Sequence, residues 1–458
     1  MTSLDDDLDK DLRLQLHNSL LEGDLVALEY VLDQGNAAEL AINSCKSPLQ
    51  VAVELDNVDA LRILLKAGAL SDGRTSCLGV TPMANAAKEN KLEILRTLIQ
   101  AEVSVNTPNV NGATPLHGAA QFGNVEVATE LIKAGAKVNV QECNGFTPLM
   151  IAVNKSCVPM AEALLDGGAL VDLTNRNCQS ALMMCVRKNQ AEMARLLLKR
   201  GANVDLQDYD GQTVLWKVVV GGSMEMLDVL LEFGANVDLC DSEGVTPVMR
   251  TALEEEVDSL KRVIQAGADV DAVCEAGETA LLKVMEIWRQ DKEFPLEIIH
   301  TLLEAGANPN IVPDDRLSPL HIAVERNDQL AEMLLSCGAL NIKRYYSLRG
   351  FAVKLVCPLY LALWYLRDNI ADLMLRIGCY NLSCMSYVWN DMDLKARLEE
   401  KKQNACLSIV ERTWKSPPLL FESARKVVSR KIGYGAKRKE KVDGLPLPEK
   451  LKQNLLLG

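Results

Sequence analysis

The sequence lacks most of the features that mark a secreted, membrane-spanning or disulfide-bonded protein. Its 13 cysteines include no Cys-x-x-Cys pair, and residues such as Cys185 and Cys337 lie in helix-like segments, which favours free thiols in a reducing compartment over disulfides or a zinc ribbon. Residues 1–11 are acidic and do not resemble a secretory signal. The most apolar segment, 357–366, is far shorter than the roughly 20 residues that cross a bilayer. We therefore expect an intracellular protein, cytoplasmic with the nucleus as the alternative, that does not enter a membrane.

Catalytic motifs are also missing. The sequence contains no phosphate-cradling Gly-rich loop, no Gly-x-Ser-x-Gly, no His-Glu-x-x-His and no cysteine paired with a recognisable base. Of its four histidines, His117 and His321 occupy the same place in a recurring motif, where a hydrogen bond to backbone is a commoner role than metal binding. We expect a non-catalytic protein with no cofactor and no metal site.

A repeat is what the sequence has instead. Glycines recur every 33 residues, at Gly135, Gly168, Gly201, Gly234 and Gly267. The register continues through Gly35, Gly68, Glu102, Gly306, Gly338 and Gly378. Most of these glycines follow a Leu-rich segment, as expected where a helix ends in a residue that tolerates positive φ.

A helix-start signal opens the repeated unit. In the segment 114–117, Thr-Pro-Leu-His, the Thr hydroxyl can accept from the free amides of a first turn, and Pro has no amide hydrogen to lose there. The signal returns at 147–149, 246–247 and 318–321. Two short helices per unit cannot bury their apolar faces alone, so neighbouring units must stack.

The 33-residue period, Thr-Pro-Leu-His, and Gly-Ala-Asn-Val-Asp at 201–205 and 234–238 resemble ankyrin repeats over residues 12–380. The resemblance implies an all-α solenoid of about 10–11 helix-turn-helix repeats with short hairpin loops. Residues 1–11 would then form an acidic N-terminal tail. A longer unit between Gly267 and Gly306 predicts an insertion near 288–295.

The pattern changes after residue 380. We expect a helical connector at 381–415, after which Ser-Pro-Pro at 416–418 interrupts the chain. Residues 411–458 carry 12 Lys and Arg against 5 Asp and Glu, so a tail of charge +7 follows a chain of charge −20. The basic run at 437–441 is typical of a solvated linker, with a nuclear address as the alternative.

Two apolar features follow the Ser-Pro-Pro segment. Leu419, Ser423 and Val427 share one helical face at i, i+4 and i+8. Farther on, prolines hold two leucines on an extended backbone. That segment is Leu445, Pro446, Leu447 and Pro448.

In this order, after a repeat array, the two features resemble the SOCS box, which would occupy residues 416–458. The chain is thus similar to the ankyrin-repeat and SOCS-box family. In that family the box helix docks on elongin C of elongin B/C, and Leu-Pro-Leu-Pro favours cullin-5 and its RING partner. The resemblance implies elongin contacts at Leu419, Ser423 and Val427, with Ser423 in place of the usual Cys. It implies cullin-5 contacts at Leu445, Pro446, Leu447 and Pro448.

The resemblance implies a substrate-recognition subunit of a ubiquitin ligase. Its array would hold a client protein, while the box recruits the ligase for ubiquitination and degradation of the client. The alternative is a ligase-independent ankyrin scaffold whose C-terminal helix only caps the solenoid. We expect neither nucleic acid nor membrane as a partner.

Client contacts are expected on hairpin tips and at the start of the inter-helix turn, the variable surface of ankyrin proteins. These positions are Phe122, Phe146, Arg187, Lys188, Tyr209 and Asp210. Scattered surface aromatics are the alternative for the three rings. The His117 position, stepped by 33, becomes Met150, Met183, Trp216 and Met249. For that column we favour repacked core over an adaptable client surface.

Overall fold

The structure is a computed structural model. It describes residues 2–34, 46–69, 79–221, 223–288, 294–313, 316–340, 344–347, 353–379, 388 and 391–400. Within these ranges the chain forms 23 helices and one pair of short strands. After the N-terminal pair, two short helices and a turn recur, and we call the two members of each pair the first and the second helix. The predicted all-α repeat fold is confirmed, with the strand pair as the exception.

The first of two units comprises Met1–Tyr209 and Asp228–Gly234. Its complete helices are α1 Thr2–Glu22, α2 Leu25–Asp33, α3 Pro48–Glu54, α4 Val58–Lys66, α5 Pro82–Lys88, α6 Leu92–Gln100, α7 Pro115–Phe122, α8 Val125–Lys133, α9 Pro148–Asn154, α10 Val158–Asp166, α11 Ala181–Arg187 and α12 Ala191–Lys199. The residues of helix α14, Met224–Glu232, are divided between the two units.

The second unit comprises Asp210–Leu227 and Ala235–Gly458. Its complete elements are α13 Val214–Gly221, α15 Pro247–Leu253, α16 Val257–Gln265, α17 Ala280–Ile287, α18 Leu296–Glu304, α19 Pro319–Arg326, α20 Asp328–Ser336, β1 Arg344–Ser347, β2 Val353–Val356, α21 Pro358–Trp364, α22 Asp368–Arg376 and α23 Met392–Glu400. The two strands are antiparallel, with Arg344 opposite Val356 and Ser347 opposite Val353.

Local chemistry sets the ends of the helices. At the start of α9 the hydroxyl of Thr147 accepts from the amide of Met150 at 3.2 Å, and Pro148 fills the first helical position. After α8, Gly135 takes a φ of +86° and donates to the carbonyl of Ile132. These are the helix-start and helix-stop roles that the sequence predicts.

Packing between neighbouring pairs makes the core. Helix α7, for example, contacts its own second helix α8 and the first helices α5 and α9 on either side. Leu116 and Leu131, one from each helix of that pair, are fully buried. Burial of each such leucine contributes about 1.5–3 kcal/mol to the free energy of unfolding. Stability therefore depends on stacking, as expected of a repeat protein.

Four segments bear on the predicted boundaries. Helix α1 runs from Thr2 through the predicted end of the acidic tail at residue 11, so this segment is helical. Helix α23 lies within the predicted connector 381–415. The predicted insertion falls between α17 and α18, where residues 289–293 are outside the described ranges. The predicted SOCS box at 416–458 also lies outside them.

Strands β1 and β2 differ from the all-α expectation. Their stretches Arg-Tyr-Tyr-Ser and Val-Lys-Leu-Val are rich in the aromatic and β-branched residues that favour strands. They lie in the unit between Gly338 and Gly378, which departs from the 33-residue spacing. Among the helices of the described ranges, none combines the length and the apolarity needed to cross a membrane.

Candidate partner-binding site

The His117 column lies inside the protein. His117 is 2 % exposed, and its Nε2 lies 3.1 Å from the carbonyl oxygen of Phe146 in the next hairpin. Nδ1 accepts from the amide of Thr114 at 3.1 Å, which leaves the proton on Nε2 for donation. Burial lowers the pKa of His117 from its usual value, although the bond to Phe146 and the charge of Glu142 oppose that shift.

The methionine and tryptophan members of this column are buried too. Met150, Met183 and Met249 are at most 3 % exposed, and Trp216 is 8 % exposed. The indole Nε1 of Trp216 donates to the carbonyl of Val245 at 3.2 Å, the same role that His117 has. The packing interpretation is confirmed, and this column is not a partner surface.

An exposed row lies instead at the C-terminal ends of the first helices in the first unit. Its members are Lys88, Phe122, Lys155, Arg187 and Lys188, and we call them the basic edge. They end, or directly follow, α5, α7, α9 and α11. All five side chains are exposed. The edge therefore joins four cations and one aromatic ring, supplied by four consecutive repeats. The carboxylate of Glu89, which also follows α5, pairs with Lys91 at 2.8 Å.

Two direct contacts link the ends of neighbouring helices along the basic edge. The Nζ of Lys88 lies 5.6 Å from the centroid of the Phe122 ring, within cation–π range. The Nζ of Lys188 donates to the carbonyl of Asn154, the last residue of α9. These contacts join the end of α5 to that of α7, and the end of α9 to that of α11.

Hydrogen bonds between successive turns support the edge. The amide Nδ2 of Asn124 donates to the carbonyls of Ala87 and Lys88 at 2.8 and 2.9 Å. Farther along, Nε2 of Gln190 donates to the hydroxyl of Ser156 at 2.6 Å. These bonds fix the ends of the first helices relative to one another, so a partner meets a pre-organised surface.

The hairpin residues form a separate group. Tyr209 is 86 % exposed in the hairpin turn that precedes α13. Phe146 is half-buried; its amide donates to Glu142 at 3.2 Å and its carbonyl faces His117. In the second unit, Asp210 is exposed, and its carbonyl accepts from the amide of Ser242 at 3.0 Å.

Five of the six predicted client contacts lie in the first unit and fall into two groups, while Asp210 belongs to the second unit. Phe122, Arg187 and Lys188 lie on the basic edge, whereas Phe146 and Tyr209 lie in the hairpins of the first unit. Within a repeat, a first helix of eight residues places these groups about 12 Å apart. The structure therefore brings together only the inter-helix half of the predicted set, and adds Lys88 and Lys155, which are not among the predicted contacts.

The predicted ligase contacts cannot be placed in this geometry. Leu419, Ser423, Val427 and the segment 445–448 lie outside the described residues. Across the ranges that are described, no group of three or more His, Cys, Asp or Glu side chains is arranged to hold a metal ion.

Comparison with known proteins gives one family. Residues 69–142, 116–208 and 182–274 match a family model for three copies of ankyrin repeats, and residues 315–345 match the single-repeat model. No curated protein matches the chain.

Two solved structures are similar in part. The ankyrin repeat domain of Bcl-3, a unique member of the IkappaB protein family, is 27 % identical, with 48 % of this chain and 100 % of that chain covered and a TM-score of 0.45. An ankyrin repeat domain, ABAYE2397, from Acinetobacter baumannii AYE is 26 % identical, with 41 % and 98 % covered and a TM-score of 0.40.

Proposed function

The chain belongs to the ankyrin-repeat proteins, whose repeats bind partner proteins, and we propose that it is the substrate-recognition subunit of an elongin B/C–cullin-5–RING ubiquitin ligase. In this proposal the repeats hold a client protein. Residues 416–458 bind the ligase, with Leu419, Ser423 and Val427 on elongin C and the segment 445–448 on cullin-5. The second candidate is a scaffold without a ligase, in which a helix around Leu419 covers the end of the array.

Helix α23 is the observation that favours the ligase proposal over the scaffold. It packs against α21 in the last helix pair, and its residues Leu394 and Leu398 are buried. The guanidinium of Arg397 lies 4.9 Å from the ring centroid of Trp364, and its Nε donates to the carbonyl of Trp364 at 2.8 Å.

The end of a repeat array needs a cover for its apolar face. Because α23 already lies on the last pair, a helix over residues 419–427 is not needed for that role. This supports the assignment of its Leu/Val face to a partner. The order of the two motifs after an ankyrin array points to elongin B/C as that partner.

Proximity is the proposed mechanism. A client held by the repeats is tethered close to the charged ubiquitin-conjugating enzyme, so its lysines are present there at high effective concentration. Positioning of this kind removes much of the entropic barrier to a bimolecular transfer. The bond-forming chemistry belongs to the partner enzymes.

Calorimetric titration of purified elongin B/C into the full chain tests the ligase half of the proposal. The wild-type chain should bind, and Leu419→Ala should lose roughly 2–4 kcal/mol of binding free energy, as expected for a buried anchor. Leu170→Ala is the matched control, because Leu170 is 59 % exposed in the repeat array. Circular dichroism checks that each variant is folded. A folded wild-type chain that does not bind, or a Leu419→Ala variant that binds equally well, would favour the scaffold.

A further inference from the structure

The basic edge collects cations that form no ion pair among the described residues. On the second helices and directly after them, several basic side chains do pair with carboxylates: Arg96 with Glu93, Lys133 with Glu130, and Arg200 with Asp166, at 2.8–3.1 Å. Among the described residues, none of the four cations of the basic edge lies in such an ion pair. In a chain of net charge −13, this is a concentration of unneutralised positive charge.

Helix C-termini explain part of this pattern. Cations near the last turn of a helix interact favourably with its carbonyl groups, and Lys188 donates to one of them. Lys155 and Arg187 are exposed, and among the described residues neither side chain donates to a helix carbonyl in this way. Their charge is available to a partner.

Phe122 adds an apolar contact in the middle of these charges. Its side chain is 56 % exposed, and the ammonium of Lys88 lies over its ring. Aromatic and Arg side chains are the usual anchors of protein interfaces. An occupant of the edge therefore needs acidic groups and at least one apolar side chain.

We propose that the basic edge is the docking site for an acidic, extended segment of a client protein, with one apolar side chain packed on Phe122. The proposal rests on the part of the proposed function in which the repeats hold a client, and it does not depend on the ligase contacts. It goes further because it specifies the chemical character of the client segment and the surface of the repeats that binds it.

The spacing of the helices gives the length of the segment. Packed neighbouring helices lie about 8–10 Å apart, and an extended chain advances about 3.3 Å per residue. Each repeat therefore corresponds to about three residues of the client. From Lys88 to Lys188 the edge fits about eight or nine residues, with an acidic side chain at roughly every third position.

A nucleic acid is a poorer fit for this surface. A long polyanion would extend beyond four cations onto an array that carries excess negative charge, and like charges raise the free energy of such a complex. An acidic segment of eight or nine residues stays within the edge.

Selection from a random peptide library on the immobilised full chain tests the proposal without a known client. The expected result is enrichment of peptides with several Asp or Glu and one apolar residue. Fluorescence anisotropy of one enriched synthetic peptide should then show binding that weakens with salt. The double variant Lys155→Glu, Arg187→Glu should weaken it about tenfold or more, and Phe122→Ala should weaken binding of that peptide but not of its apolar-to-Ser analogue.

The control reverses the same charges elsewhere. Lys66 and Lys199 are exposed lysines in the last turns of the second helices α4 and α12, so Lys66→Glu, Lys199→Glu changes the net charge equally and should leave peptide binding unchanged. The proposal is wrong if no acidic peptide is enriched, if the edge variant binds like the control, or if a single-stranded oligonucleotide binds the edge more tightly than the peptide. Elongin titration reports on the ligase half separately, so failure of one half does not imply failure of the other.

Discussion

At the scale of single residues, the third position of each first helix decides how neighbouring repeats are joined. Where this residue carries an N–H, it reaches a carbonyl of the following segment: Gln50 reaches Val80, His117 reaches Phe146 and Trp216 reaches Val245. Methionine fills the same position at Met150 without a donor. The position is buried in each of these four helices, and only some residue types add a hydrogen bond.

His117 makes stability depend on pH. Its folded-state pKa lies below the usual 6.5 because of burial, so as pH falls below about 7 the unfolded chain binds a proton that the folded chain does not. The contribution of neutral His117 to the free energy of unfolding is fully present above the unfolded-state pKa of about 6.5. It falls as pH decreases towards the folded-state pKa, by at most about 1.4 kcal/mol per pH unit. His117→Met should reduce this loss between pH 7.5 and 5.5 in urea unfolding followed by circular dichroism.

The control for this titration is Met150→Leu, which changes a buried residue at the same position of the next first helix and removes no titratable group. Met150→Leu should keep the pH dependence of the wild-type chain. If His117→Met shows the same loss of stability at pH 5.5 as the wild-type chain, His117 is not the titrating group.

At the scale of secondary-structure elements, the hairpins touch backbone to backbone. Gly145 has a φ of +81°, and the carbonyl of Asn144 accepts from the amide of Arg176 in the next hairpin at 3.1 Å. A Cβ at residue 145 would lie 2.8 Å from that amide nitrogen. Gly135 has a similar φ of +86°, but a Cβ there would meet nothing within 4 Å. A substitution at Gly135 therefore introduces conformational strain alone, whereas one at Gly145 introduces strain and a steric contact.

Alanine at each of these glycines should have a different effect. Gly135→Ala should cost about 1–2 kcal/mol through the left-handed backbone alone, whereas Gly145→Ala should cost about 1–3 kcal/mol more because the hairpins must move apart. Urea unfolding of the two variants measures the difference. Equal losses of stability would show that the close approach of the hairpins does not contribute.

Asparagine side chains link the turns that follow the second helices. Nδ2 of Asn139 donates to the carbonyl of Gly168 at 3.1 Å, and its Oδ1 accepts from the amide of Leu170 at 2.8 Å. One repeat later, the carboxylate of Asp172 accepts from the amide of Asn203 at 2.9 Å and has no N–H to donate. At this position of the repeat, an Asn side chain therefore joins neighbouring turns by two hydrogen bonds, and an Asp side chain joins them by one.

Exchange of these two residue types should change stability in opposite directions. Asn139→Asp should cost about 1–2 kcal/mol, because it removes a donor and turns a carboxylate oxygen towards a carbonyl. Asp172→Asn should be neutral or stabilising by up to about 1 kcal/mol. Thermal unfolding at pH 7 measures both, and a loss of stability on Asp172→Asn would contradict this account.

At the scale of the whole molecule, the sequence predicts the repeated helix pairs well because each pair depends on short-range signals. The Thr-Pro start, the positive-φ glycine and the buried column recur with one period, and repeats contact only their neighbours. The strands at 344–347 and 353–356 are missed where that period is interrupted.

The candidate site is predicted only in part, for a different physical reason. Phe122 and Lys188 are found by their place at the inter-helix turn, and the same 33-residue step from Phe122 gives Lys155, which no local motif marks. The lack of carboxylate partners at the basic edge depends on contacts between repeats. Sequence spacing places these residues in one row but does not show their pairing.

The central claim is that one chain joins a client to a ligase, and a reconstituted transfer reaction tests it most directly. The substrate is an edge-selected peptide that carries one lysine, incubated with the full chain, elongin B/C, cullin-5, its RING partner, activating and conjugating enzymes and ubiquitin. The account predicts ubiquitin transfer that falls about tenfold or more with either Leu419→Ala or the double variant Lys155→Glu, Arg187→Glu, and that is unchanged in Leu170→Ala. Transfer that is equally fast in both docking variants, or no transfer from a wild-type chain that binds both the peptide and elongin B/C, would contradict it.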